Sequence, residues 1–344
     1  MNSKAALFLT IAFSASFAAG QTDRALHFAH TEPATSLNQI ATLIHVITDA
    51  AASPDERQKT LTLHGTQEQI ALAEWLLGEI DKPQIPAPNN REEATHSYQL
   101  QGGGENTVRV FFLLNFDTAQ AFQEVATAVR TTVDLRRAAT YNGLRAFVTR
   151  GTPDQIALTT WLIDALDRPA GQRAVSRDYR MPLNSDPHGE IAVRLLYASN
   201  AATVQDFQQI ATAVRTITDI RRLFTYNAAR VIVARSTPEQ IAMADWLMPQ
   251  LDKPAVEKVS STPVQSSGTY EYASASDREN MVKVLYLPQA ETIEDFQRIA
   301  TGIRTTTNVR RAFTYNAPRV MAVRGTIDQI AMAERMVKEL DTPK

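Results

Sequence analysis

The chain has 344 residues, 44% of them hydrophobic and 21% charged, with a formal net charge of −2 at pH 7. That composition suits a series of globular domains and excludes a chain-wide electrostatic pull toward nucleic acid or anionic lipid. Cysteine is absent, which excludes disulfides, a thiolate nucleophile and thiolate metal ligation.

Residues 1–20 carry one lysine, Lys4, then an apolar run from Ala5 to Phe17, then Ala18-Ala19-Gly20. The run is too short to span a bilayer comfortably, and small residues before Gln21 fit a cleavage site. The expectation is a signal peptide cleaved near Gln21 and a periplasmic or secreted bacterial protein, since a cysteine-free exported chain suits that route better than a disulfide-rich one.

From residue 21 onward one pattern recurs four times, giving predicted modules at 21–84, 94–169, 177–254 and 269–344. Each opens with a short β-rich run, such as Val193–Tyr197. A helix follows, with Phe207, Ile210, Ala211, Val214 and Ile217 at helical spacing on one face. Next comes a hairpin turning at Asn227-Ala228-Ala229, where asparagine tolerates left-handed backbone angles. A second helix starts at Thr237, with Gln240 placed to complete a capping box, as in Thr66/Gln69, Thr152/Gln155 and Thr326/Gln329. It stops at Leu-Asp-x-Pro, because proline cannot continue it. The expected fold class is α+β: four tandem βαββα modules, each a three-stranded sheet covered by two helices. Pro-, Ser- and charge-rich stretches at 83–93, 170–176 and 255–268 predict flexible linkers. "HSYQL", "RDYRM" and "TYEYA" before modules 2 to 4 are candidate additional edge strands.

Gly151-Thr152-Pro153-Asp154 with Leu166-Asp167-Arg168-Pro169, and Thr237-Pro238-Glu239 with Leu251-Asp252-Lys253-Pro254, resemble the end of a secretin N-terminal domain. Those periplasmic modules precede the pore in type II and III secretion and type IV pilus secretins. The resemblance implies a βαββα fold and assembly into rings or binding to secretion-machine proteins. No pore-forming segment follows the last repeat in this sequence, which puts a channel function in doubt.

The most distinctive motif is Arg-Arg-x-x-x-Tyr-Asn. It contains Arg136, Arg137 and Tyr141, then Arg221, Arg222 and Tyr226, then Arg310, Arg311 and Tyr315, with the tyrosines 85 and 89 residues apart. An active site seldom needs three copies in one chain, whereas a hairpin does. The recurrence therefore favours a structural hairpin, with a docking surface as the alternative. Module 1 lacks the arginine pair, as an atypical terminal repeat would. Alternation puts Arg222, Phe224 and Tyr226 on one face, where an arginine could lie over aromatic rings.

His27, His30 and His64 have side chains that could ligate a metal, but His27 and His30 would face opposite sides of a probable strand, and no metal site is expected. "QGGGEN" at 101–106 lacks a phosphate-loop lysine and reads as a joint. Trp75, Trp161 and Trp246 hold equivalent helix positions, with Arg335 in module 4, and read as core or interface residues. No catalytic or cofactor-binding residues and no cofactor are predicted. The expected role is binding to envelope or secretion-system proteins, or to another copy, without nucleic acid. The alternatives are an envelope hydrolase or carbohydrate-active protein with a site between modules, and a KH-like nucleic-acid binder.

Overall fold

The computed structural model describes residues 21–30, 34–83, 95–116, 118–168, 176–183, 185–253, 268–272 and 278–342. The expected signal peptide and most of the expected linkers lie outside these residues.

Module 1 runs β1 (Thr22–His27), α1 (Ala34–Thr48), β2 (Ala51–Asp55), β3 (Thr60–Gly65) and α2 (Gln67–Ile80). Module 2 runs β4 (Thr95–Gln99), β5 (Thr107–Phe112), α3 (Ala119–Val133), β6 (Arg137–Tyr141), β7 (Ala146–Gly151) and α4 (Pro153–Leu166). Module 3 runs β8 (Arg177–Arg180), β9 (Ala192–Tyr197), α5 (Val204–Thr218), β10 (Arg222–Tyr226), β11 (Val231–Ser236) and α6 (Pro238–Leu251). Module 4 runs β12 (Thr269–Glu271), β13 (Met281–Tyr286), α7 (Ile293–Thr307), β14 (Arg311–Tyr315), β15 (Val320–Gly325) and α8 (Ile327–Leu340). The fold is α+β, with one antiparallel sheet per module.

The module 1 sheet has three strands in the order β1-β3-β2. The other sheets have four, because β4, β8 and β12 each add an edge strand to the βαββα unit. The three-stranded expectation thus holds for module 1, and the tyrosine-bearing segments before modules 2 to 4 extend the other sheets.

The hairpin turns differ from expectation in one respect. The left-handed residue is the basic one closing the turn, at Lys59, Arg145, Arg230 and Arg319, rather than the asparagine opening it. The N–H of Arg230 bonds back to Asn227 O at 3.1 Å, and Arg230 also reaches Ala202 O at 2.8 Å.

Capping boxes are complete at Thr66, Thr152 and Thr326. Thr237 keeps only half of its box: its hydroxyl accepts the Gln240 N–H at 3.3 Å. The reason is one residue upstream. Gly65, Gly151 and Gly325 leave room for the glutamine carbonyl, which a Cβ would meet at 2.7–3.0 Å. Ser236 stands there in module 3 and contacts Gln240 Oε1 at 2.5 Å, so the oxygen turns away from the Thr237 N–H. Thr152→Ala, which deletes a full box, should cost about 1 kcal/mol. Thr237→Ala should cost less. Urea titration of the two variants checks the order.

The Leu-Asp-x-Pro aspartates do more than end helices. Asp81 accepts the backbone N–H groups of Ala29 and His30, and Asp252 those of Ser199 and Asn200. Asp167, fully buried, accepts those of Leu114 and Asn115. Each carboxylate ties the loop after the first long strand to the end of the second helix.

Consecutive modules share cores. Leu43, Ile44 and Leu72 of module 1 lie in one cluster with Val108, Val110 and Tyr141 of module 2. Val129 and Leu158 of module 2 cluster with Val193 and Tyr226 of module 3. Val214 and Met243 of module 3 cluster with Val282 and Tyr315 of module 4. Sheets and helix pairs therefore alternate as layers, and the sheets of modules 2 to 4 are covered on both faces.

Candidate functional site at the module seams

The first helix of modules 1 to 3 packs on the hairpin strand of the next module: α1 on β6, α3 on β10, α5 on β14. The arginine-tyrosine motif is the sheet side of this seam. Tyr141, Tyr226 and Tyr315 are buried in the core of the preceding module. Burial, with Asp206 and Asp252 of module 3 nearby, pushes the Tyr315 phenol up to about 12. The turn asparagine docks on the preceding helix through its backbone N–H: Asn142 on Gln39 at 3.4 Å, Asn227 on Glu124 at 3.2 Å and Asn316 on Gln209 at 3.3 Å.

The second arginine of each pair bridges a carboxylate of the preceding module and at least one of its own, and Arg222 also meets Asp186 at 3.3 Å. Arg137 contacts Asp49 of module 1 at 3.0 Å and also Glu105. Arg222 contacts Asp134 of module 2 at 3.4 Å and Glu190 at 3.2 Å. Arg311 contacts Asp219 of module 3 and Glu279. Asp49, Asp134 and Asp219 are the left-handed residues that end the first helices. A carboxylate at a helix C-terminus opposes the macrodipole, and the facing guanidinium offsets that cost.

A third arginine completes the seam. Arg150, Arg235 and Arg324 donate across it to the last helical carbonyls of the preceding module, Ile47 O at 3.2 Å, Thr132 O at 2.9 Å and Ile217 O at 3.2 Å. Within their own modules they donate to Glu105 O, Glu190 O and Glu279 O at 2.8–3.0 Å. Arg235 also pairs with buried Asp186 at 2.9 Å. The motif arginines thus meet carboxylates where rings were expected, and the ring contact falls to Arg324, 4.7 Å from the centroid of Tyr272.

The tryptophans form the other half of each seam. Trp75, Trp161 and Trp246 are half-buried against Tyr98, Tyr179 and Tyr270 of the next module's edge strand, at centroid distances of 5.3, 5.5 and 5.3 Å. The choice between core and interface therefore resolves to interface.

Arg136, Arg221 and Arg310 stand apart. They are exposed, one in each of modules 2 to 4, immediately before the seam arginine. Arg130 and Arg304, in the last turns of α3 and α7, are exposed as well.

Open grooves of about 470 and 410 Å³ run along the first two seams. The first is lined by amides, threonines and apolar groups with Arg130, and the second adds Glu124 and Arg215. The candidate histidines do not converge. His64 pairs with Asp23 at 2.6 Å, and His30 lies beyond the strand against Asp81 O at 3.1 Å. No cluster of three metal-ligating side chains and no helix long and apolar enough to cross a membrane occurs among the described residues.

No protein-family model and no curated protein matches the chain. Solved structures do. The N-terminal domain of the secretin XcpQ from Pseudomonas aeruginosa aligns at 12% identity, covering 43% of this chain and 62% of that one, with a TM-score of 0.19. Aeromonas hydrophila ExeD aligns at 10% identity over 89% and 59% of the two chains, with a TM-score of 0.16. The type II secretion system secretin GspD of E. coli K12 aligns at 11% identity over 69% and 40%, with a TM-score of 0.15. The chain spans less than two thirds of each of these three structures, and scores this low carry no weight for function.

Proposed function

We propose that the chain is an exported, non-enzymatic scaffold that binds other envelope proteins, in association with a secretion or type IV pilus apparatus. The observation that carries this reading is the repeated placement of Arg136, Arg221 and Arg310. The rest of the motif is engaged inside the seams, while these guanidinium groups reach solvent at equivalent points of a layered stack. A set of exposed cations repeated at equivalent points suits an acidic partner surface, because complementary charge gives specificity and speed of association. The pathway assignment draws on the secretin-like Gly-Thr-Pro-Asp, Thr-Pro-Glu and Leu-Asp-x-Pro pattern together with the βαββα units it sits in. Export draws on the leader-like first twenty residues.

The triple variant Arg136→Ser, Arg221→Ser, Arg310→Ser tests the binding surface. The circular dichroism spectrum should stay unchanged, because these side chains are exposed. Recovery of partners from envelope extracts should drop, and added salt should weaken recovery by the wild type as well, since exposed charges are screened. A folded variant with undiminished partner recovery would overturn the assignment.

A further inference from the structure

The two ends of the stack depart from the seam chemistry in opposite directions. On the helix side, modules 1 to 3 present Gln39, Glu124 or Gln209 to the incoming turn, an aspartate at the helix end, and a tryptophan to the incoming edge strand. Module 4 has Arg298, Asn308 and Arg335 at those positions. Arg298 is exposed and makes an intrahelical pair with Asp295 at 2.8 Å. The anion is gone and two cations have come in. Apolar surface is uncovered as well: Met332 and Leu340 are 37% and 47% exposed, whereas Leu72, Leu158 and Met243, and Ile80, Leu166 and Leu251, are buried at the matching positions.

On the sheet side, strand register places Asp55 of module 1 where Tyr141, Tyr226 and Tyr315 stand, and His64 where Arg150, Arg235 and Arg324 stand. Ala51 replaces the bridging arginine. Asp23, paired with His64, replaces Val108, Val193 and Val282, the residues opposite the tyrosines of the edge strands. The cations are gone and two exposed anions have come in.

We propose that module 4 of one copy docks its helix face on the module 1 sheet of a second copy, continuing the stack head to tail. Seam geometry brings the complementary changes together. Arg298 holds the place of the side chain that receives the turn, and Asp55 begins that turn. Arg335 holds the place of the tryptophan that meets the edge strand, and module 1 has no fourth strand among the described residues, so its neighbour is Asp23. Asn308 replaces an aspartate where no arginine faces it, leaving no buried charge unanswered. The contact is heterologous, so it closes into a ring or runs on as a filament. This assignment goes beyond the scaffold role and is independent of it, because a monomer could still capture a partner through Arg136, Arg221 and Arg310.

Sedimentation of the purified chain over a concentration series tests the proposal. The wild type should self-associate, and raising the salt from about 50 mM to about 500 mM should weaken it, because exposed pairs are screened. Arg298→Glu with Arg335→Glu, or Asp23→Arg with Asp55→Arg, should each weaken association about tenfold or more, since like charges then face one another. Mixing the two double variants should restore association in alternating order, because the unchanged helix face of one meets the unchanged sheet of the other and the two reversed faces are again opposite in charge, a result that loss of folding in either variant cannot produce. A monomeric wild type at all concentrations and low salt would overturn the proposal. So would association that survives both charge reversals, or that falls only with the Arg136, Arg221 and Arg310 substitutions.

Discussion

Arg235→Ala is expected to destabilise module 3 and its seam by about 3–5 kcal/mol, the cost of breaking a buried pair from one side. The Arg235 side chain is 3% exposed, and its guanidinium serves three acceptors in two modules: Thr132 O, Glu190 O and the Asp186 carboxylate. Alanine strands the two buried carbonyls and leaves Asp186 with only Arg222 and the His188 and Glu190 backbone N–H groups. Burial by itself would push the Asp186 carboxyl up, but the backbone N–H groups of His188 and Glu190 and the guanidinium groups of Arg235 and Arg222 outweigh it and hold the carboxyl below its ordinary value. A carboxyl depressed in the folded state adds stability above its unfolded pKa and loses it as the pH falls through the folded one. Wild-type stability should therefore decline as the pH drops below about 4. In Arg235→Ala that acid-dependent loss should shrink, because less of the depression remains. Arg235→Lys should fall between the two, since an ammonium keeps the charge and loses the fork. Urea titrations of the three chains at pH 7 and at acid pH check both the size and the sign. Equal stability of wild type and Arg235→Ala at pH 7 would remove this arginine from the seam.

Much of this architecture was legible because it is local. A capping threonine, a stop at proline and a period of apolar positions each act within one helix, so the repeat and its elements could be read directly. The seams were harder, because alternation says which residues share a face but not what covers it. Arg222, Phe224 and Tyr226 form a face that looks like solvent surface with aromatic rings. In the structure it lies under the helix of the preceding module. A signal was present in the next strand. Val231–Ala234 and Val320–Val323 are unbroken apolar runs buried on both faces, the pattern of strands covered on two sides. Glu105 and Glu279 also sat in plain view, each thirty-two residues before a bridging arginine. One of them is in the glycine-rich stretch read as a joint. The aspartates of Leu-Asp-x-Pro were read only as part of a stop signal, because their partners are backbone N–H groups about fifty residues away, and backbone donors leave no mark in a sequence.

Tyr226→Ala should show whether the seams make the modules unfold together. The ring is buried in the core cluster of module 2, edge-on to Phe116 with centroids 5.7 Å apart. Truncating a buried aromatic typically costs about 3–5 kcal/mol, and the edge-to-face pair adds about 0.5–1.5 kcal/mol. The loss falls on the contact between modules rather than within either one. Each internal helix pair is covered by its own sheet on one side and the next module's sheet on the other, so stability resembles that of a linear array, with a term for each unit and one for each neighbour contact. Weakening one neighbour term should let modules 1 and 2 unfold separately from modules 3 and 4. Tryptophan fluorescence in urea reads this directly, because Trp75 and Trp161 lie on one side of the break in sequence and Trp246 on the other. The wild type should melt in one cooperative transition, and Tyr226→Ala in two, each with a smaller m-value because it exposes less surface. Tyr226→Phe should keep most of the coupling, since it retains the ring. A single transition in Tyr226→Ala with the wild-type m-value would mean that the arginine bridges and the Trp161–Tyr179 contact hold the seam without the tyrosine.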